Sequence, residues 1–364
     1  MGVKADLVPN LKKVNQTFNY IDDMNFEHML KAIVRQEKYF QSRSLSEKIK
    51  FGSRMITRGH LKKSLLTFKK YVTQALNCFQ LYPEKVCNTE FSNKMNQDFE
   101  VYKPMPLAWE KGYKEKKTFF TAYYSPDFEA SFTKTKEFKN PIYMKPPSVK
   151  LQKVSSDAVN FQNKLKGYEL IYVKKSLYDI WLLHVEGGGR ARVKQADGTF
   201  KYHYLSYDGA NGQSFKMLYE YMIAQGMLKK GEATIAKQRE YFVNNPKDQR
   251  AILKTCPSFI FFKITKDEPL GVHNMSLTEN RSLATDYRRL KEYGIINFVR
   301  ATKPVIVNDQ VNQKTYSRFF LNQDTGGAIK GNARSDLYFG YGDKAELAAN
   351  YVYGLGEQYF LILK

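Results

Sequence analysis

The stretch Asp324-Thr325-Gly326-Gly327-Ala328-Ile329-Lys330-Gly331-Asn332-Ala333-Arg334-Ser335-Asp336-Leu337-Tyr338-Phe339-Gly340 constrains this chain more than any other. Two carboxylates bracket a segment with three glycines, and the Leu-Tyr-Phe that follows reads as the start of a buried strand. Polar, glycine-rich backbone packs poorly but approaches a ligand or another strand closely, so the segment reads as the wall of a cleft. Two carboxylates brought together there titrate apart, one of them held protonated. That is the acid/base pairing used on glycosidic bonds. The competing reading is local, since Asp and Gly also favour turns at strand ends.

At 364 residues the chain exceeds one typical domain, and about 150 residues per domain implies two or three. With 43% hydrophobic and 15% aromatic residues it is an ordered globular chain, and most of its 26 Tyr fit half-buried sheet. A formal charge of +22 implies an anionic partner: nucleic acid, anionic lipid or cell-wall polymer. Zinc-finger spacing and the aromatic ribonucleoprotein motif are both missing, which argues against the first. Cys78, Cys87 and Cys256 have no metal-ligand spacing. Cys78 and Cys87 either close one disulfide in an oxidising compartment or stay as thiols. Met1-Gly2-Val3-Lys4-Ala5-Asp6 has neither an apolar signal core nor a lipidation pattern, so either the protein is cytoplasmic or an export segment lies outside this sequence.

Apolar spacing predicts helices over Asn25–Gln36, Arg58–Cys78 and Asn88–Phe99. From Lys117 the character changes. Strands are expected at Thr118–Tyr124, Ile142–Met144, Leu170–Val173 and Ile180–Val185, and Asp197-Gly198 marks a hairpin. Helices follow over Ser214–Met227, Thr234–Val243 and Pro246–Leu253, then strands at Ser258–Ile264 and Ser282–Asp286 and a β-rich tail.

Four separated motifs then agree in order. Phe120-Thr121-Ala122-Tyr123-Tyr124-Ser125-Pro126, Leu183-His184-Val185-Glu186-Gly187-Gly188-Gly189-Arg190, Tyr207-Asp208-Gly209-Ala210-Asn211-Gly212 and Cys256-Pro257-Ser258-Phe259-Ile260-Phe261-Phe262 resemble signatures of the membrane-bound lytic transglycosylase A family. Its C-terminal module is named for three aspartates, which here fall on Asp286, Asp324 and Asp336. The resemblance implies a mainly β fold with helices: a double-psi β-barrel from residues 1–127 and 246–364, with a smaller barrel-like β domain, 128–245, inserted. A substrate groove would lie between them. It implies a lyase that cleaves the bond from N-acetylmuramic acid to N-acetylglucosamine in peptidoglycan and leaves 1,6-anhydromuramoyl ends. Asp336 would be the acid/base and Asp324 its electrostatic companion.

Thr121, Tyr123, Tyr124, Glu186, Gly187, Gly188, Asp286, Gly326, Gly327 and Lys330 would bind substrate, with Trp181 expected near the groove. His184 and Glu186 stand where the family carries Gln, and the turn after Asp286 departs from its pattern. The expected partner is the glycan strand of peptidoglycan, with no nucleic acid, cofactor or metal. A monomer in the periplasm, at the outer membrane or secreted is expected, with any anchor outside this sequence. The rival readings are a wall-binding protein that has lost turnover and, on charge alone, a nucleic-acid-binding protein.

Overall fold

The computed structural model describes residues 10–266, 268, 270–307 and 310–364. The expectation about Met1–Asp6 lies outside them. The strands, in chain order, are β1 (Leu11–Val14), β2 (Lys48–Phe51), β3 (Arg54–Thr57), β4 (Phe99–Pro104), β5 (Thr118–Ser125), β6 (Asp127–Ser131), β7 (Asn140–Tyr143) and β8 (Glu169–Val173). Then come β9 (Gly188–Lys194), β10 (Phe200–Ala210), β11 (Ile260–Thr265), β12 (Ser282–Thr285), β13 (Ile296–Val307), β14 (Gln310–Asp324), β15 (Arg334–Tyr341) and β16 (Tyr353–Leu363). The chain divides into two compact units. One holds residues 10–123, Gly271–Gly340 and Leu347–Lys364; the other holds Tyr124–Leu270 and Tyr341–Glu346.

In the first unit the strands run β16-β13-β14-β12-β15-β5, and β5 pairs again with β16, so six strands close into a barrel. Closure removes the sheet edges. β12 and β14 run parallel, which hairpins alone cannot produce. Phe120, Leu283, Val299, Phe320 and Leu337 fill the barrel interior. A buried polar chain runs beside them: Ser335 Oγ donates to Gln358 Oε1 (2.9 Å), and Gln358 Nε2 donates to Asn297 Oδ1 (2.8 Å).

Helices Met29–Gln41, Arg58–Phe79 and Glu84–Asp98 belong to this unit. Leu61, Leu65, Phe68 and Val72 recur at helical spacing and are buried, and Phe68 meets Phe319 of β14 with ring centroids 5.0 Å apart. Burying one such phenylalanine contributes about 2–3 kcal/mol. The first helix begins at Met29 rather than Asn25. Asn25, Phe26 and His28 take left-handed backbone instead, and Asp22 Oδ1 accepts the N–H groups of Met24 and Phe26. The same carboxylate receives Arg281 (Nη1 to Oδ2 2.6 Å, Nη2 to Oδ1 2.9 Å), an ion pair with both side chains fully buried. The third helix starts after Pro83, four residues before the expected Asn88. Cys78 and Cys87 form a disulfide, and Cys256 is buried and free.

The second unit carries a six-stranded sheet, β11-β10-β9-β6-β8-β7, with Phe128, Ile171, Val173, Ala191, Leu205 and Phe262 in its core. Lys194 pairs with Phe200 across the expected Asp197-Gly198 hairpin. Two expectations are corrected. Ile180–Val185 is not a strand but part of the helix Leu177–Glu186, started by a Ser176/Asp179 capping box and ended by Gly187 at φ 74°. An apolar run of that length is compatible with either state, and the cap decides it. Residues 246–270 do not join the barrel: β11 pairs antiparallel with β10, so the strand stays with the second unit, as does Tyr341–Glu346.

Candidate functional site

β12 organises the barrel's polar face. On its parallel side Ala284 is in register with Asp324, and on its antiparallel side with Asp336. Residues in register across neighbouring strands project to the same face, and strands lie about 4.8 Å apart, so the two Cα atoms start roughly 10 Å apart with only a methyl group between them. Leu283, one residue earlier, pairs with Leu337 and points the other way, into the barrel. Strand alternation therefore puts hydrocarbon inside and both carboxylates outside.

Asp336 Oδ1 accepts a short hydrogen bond from Thr121 Oγ1 of β5. Arg334, two residues before it, donates from Nη2 to the same hydroxyl (2.6 Å) and from Nη1 to Ser335 O (2.6 Å). Burial pushes the Asp336 carboxyl above the ordinary range, and the Arg334 charge and the Thr121 hydrogen bond pull back without reversing it. Asp324 accepts from the Tyr123 hydroxyl (2.8 Å at Oδ2) and the Val272 N–H (3.3 Å at Oδ1). Burial raises it to about 6, outweighing the hydrogen bonds from Tyr123, Thr325 and Val272, while the Asp336 charge adds to the rise. The Tyr123 hydroxyl is itself raised, by burial and then by Asp324, so it remains a donor.

Asp286 behaves differently. It caps the short helix Tyr287–Leu290 through the Arg288 N–H, receives Arg288 Nε and Nη2 (both 2.8 Å), and accepts the Gly331 N–H (2.9 Å). Burial acts to raise it, but the bonds from Arg288 and Gly331 prevail and hold it low. Its place is as a tether for the loop between β14 and β15. Glu110, which sequence reading missed, is a second tether, accepting the Ala333 N–H (2.8 Å). Gly331 is at φ 120°, and a Cβ there would come within 2.1 Å of Glu110 Oε1, so only glycine fits. No local signal marks Glu110, because its partner is distant in sequence. Ile329 is buried beneath the loop, whereas Gly327 and Lys330 are exposed and Gly326 is half-buried.

The remaining predicted residues lie in the second unit. The Tyr124 hydroxyl donates to Glu346 Oε2 (2.9 Å), and Glu186 Oε2 accepts the Tyr124 N–H (3.4 Å). Gly187 ends the helix, and Gly188 enters β9 in register with Ser206. A Cβ on Gly189 would lie 2.6 Å from Leu183 Cδ1 and 2.8 Å from Pro126 O, which accounts for a glycine there by packing. The His184 ring packs edge-on against Phe259 (4.5 Å), and burial lowers its pKa to about 3. Trp181 is not a groove residue: it is core, stacked on Phe215 with centroids 6.1 Å apart and packed among Tyr178, Leu218 and Phe242. Among the described residues no group of three or more His, Cys, Asp or Glu side chains is placed to hold a metal ion.

A family model described as the MltA specific insert domain matches residues 119–263, and one described as the 3D domain matches residues 281–360. Membrane-bound lytic murein transglycosylase A of Escherichia coli strain K12 is 30% identical over 229 residues, 62% of this chain and 60% of that protein. Its homolog from Buchnera aphidicola is 26% identical over 235 residues, 64% of this chain and 62% of that one. These matches thus span about three fifths of either relative's length. The crystal structure of E. coli MltA with bound chitohexaose is similar with a TM-score of 0.73 at 22% identity, covering 98% of this chain and 95% of that one. That of the Agrobacterium tumefaciens membrane-bound lytic murein transglycosylase gives 0.70 at 20% identity, covering 97% and 98%. At these identities the structural likeness is one of fold.

Proposed function

We propose that this chain, which its matches group with the membrane-bound lytic murein transglycosylase A family, cleaves peptidoglycan as a lytic transglycosylase, with Asp336 as its single acid/base. The observation that carries this reading is a carboxyl raised by burial on the polar face of the barrel, one alanine away from a second raised carboxyl. Protonated Asp336 gives its proton to the oxygen linking N-acetylmuramic acid to N-acetylglucosamine as the C1–O bond breaks. The resulting carboxylate takes the proton of the muramoyl C6 hydroxyl as O6 bonds to C1, closing the anhydro ring and restoring the acid. Intramolecular attack gives the nucleophile a very high effective concentration. Asp324, ionised above about pH 6, stabilises positive charge developing at C1.

Gly326, Gly327 and Lys330, on the outer turn of the loop, are taken to meet the glycan, with Asp286 holding the loop in place. The charge of +22 favours association with a polymer bearing peptide carboxylates, and the Cys78–Cys87 disulfide fits an oxidising compartment outside the cytoplasmic membrane. There the protein is taken to act as a monomer at the periplasmic or outer-membrane face. Among the described residues no helix is long and apolar enough to cross a membrane. Mass spectrometry of products released from purified peptidoglycan tests the reading. Anhydro-ended muropeptides are expected; reducing ends, or binding without release, would overturn it.

A further inference from the structure

Thr121 is bonded on both sides. Its hydroxyl receives Arg334 Nη2 at 2.6 Å and is in hydrogen-bond contact with Asp336 Oδ1. A guanidinium can only donate, and a hydroxyl owns one proton. The contact with Arg334 therefore fixes Thr121 as acceptor on that side and sends its only proton to Asp336 Oδ1. Arg334 is itself held, by its bond to Ser335 O and by lying over the Phe119 ring at 5.2 Å from the centroid. A proton placed on Oδ1 would face the Thr121 proton head-on.

We propose that Arg334 and Thr121 form a positioning relay that reserves Asp336 Oδ1 as an acceptor and confines the working proton of Asp336 to Oδ2. The proposal rests on the acid/base reading of Asp336 and reassigns Thr121 from substrate contact to control of that acid. In the reaction, Oδ2 loses its proton to the glycosidic oxygen and regains it from the C6 hydroxyl, while Oδ1 keeps its bond to Thr121 throughout. The acid thus presents one oxygen in one orientation, and no proton has to change oxygens between the two half-steps. Among the described residues the titratable groups acting on this centre are Arg334 on β15, Asp324 on β14, Tyr123 on β5 and, through Arg334, Tyr353 on β16.

The test uses the full chain with Thr121→Val, Thr121→Ser, Arg334→Met and the Thr121→Val/Arg334→Met double variant, assayed for release of anhydro products across pH. Thr121→Val and Arg334→Met are each expected to lower kcat about 10- to 100-fold, in the range of acid/base effects, with KM within about twofold. Their loss of activity at high pH moves to higher pH, because a bond or charge favouring the carboxylate has gone. Thr121→Ser is expected to recover to within about threefold of wild type, and the double variant to be no worse than the more damaging single one. Full activity in Thr121→Val, no rescue by Ser, or multiplying losses in the double variant would overturn the relay. Carbon-13 titration of the Asp336 carboxyl reads the same link without substrate: it moves upward in Thr121→Val, and an unmoved titration refutes the proposal. If the wild type releases no anhydro products, the functional reading falls and the titration still decides the relay.

Discussion

Asp22 and Asp336 of the barrel unit each have an arginine for a neighbour, and they are put to opposite uses. Asp22 is bonded at both oxygens by Arg281 and accepts the N–H groups of Met24, Phe26 and Phe319 as well. Asp336 has one hydroxyl on one oxygen, and the arginine beside it spends its hydrogen bonds on Thr121 and Ser335. A carboxylate saturated with donors ties chain segments together. One that is enclosed but sparsely bonded keeps a raised pKa and can move a proton. Asp286, saturated by Arg288 and Gly331, falls with Asp22 in this respect even though it is one of the three aspartates that resemble the family module.

The contrast is broken most severely at Asp336. Asp336→Asn is expected to keep the fold and to lower release of anhydro products by about 10²–10⁴-fold, since an amide cannot give and retake the proton. A variant retaining more than about a tenth of the wild-type rate removes Asp336 from the central role. The reverse is expected at the lock. Arg281→Met leaves Asp22 buried without its cation and is expected to cost about 3–5 kcal/mol of folding free energy, read from urea midpoints. A loss below about 1 kcal/mol would place this pair with surface bridges.

Asp324→Asn sharpens the comparison through pH. Its folded-state pKa of about 6 lies above the ordinary 3.8. Its contribution to stability is therefore complete below about pH 4 and is lost as pH rises through about 6. The variant escapes that loss, so relative to wild type it is expected to gain about 2 kcal/mol in urea denaturation at pH 8 over pH 4, allowing for partial contact with solvent. An equal difference at both pH values would show that Asp324 titrates normally. Its activity is expected to fall less than that of Asp336→Asn, and an equal fall would make the two carboxyls one coupled unit. The smallest effect on activity is expected at the disulfide. Cys78→Ser with Cys87→Ser removes a short loop constraint and is expected to cost about 2–3 kcal/mol at most, with kcat unchanged.

The sequence by itself determined the strand dense in aromatics at Thr118, the amphipathic helix from Arg58, the hairpin at Asp197-Gly198 and the glycine loop between Asp324 and Asp336. Each of these rests on near neighbours: a period along one segment, a turn dipeptide, or residue types that only a loop tolerates. The capping box at Ser176 and Asp179 was equally legible and would have turned the expected strand at Ile180 into the helix that forms. Tertiary structure alone decided that β11 pairs with β10, that Trp181 is core, that Asp286 and Glu110 hold the loop rather than face a ligand, and that Ala284 stands between the two raised carboxyls. It also decided that Arg334 engages Thr121, a residue far from it in the chain. These outcomes come from strand register and from burial, which set the environment of a carboxyl through groups remote in sequence, and no local pattern of residues carries that information.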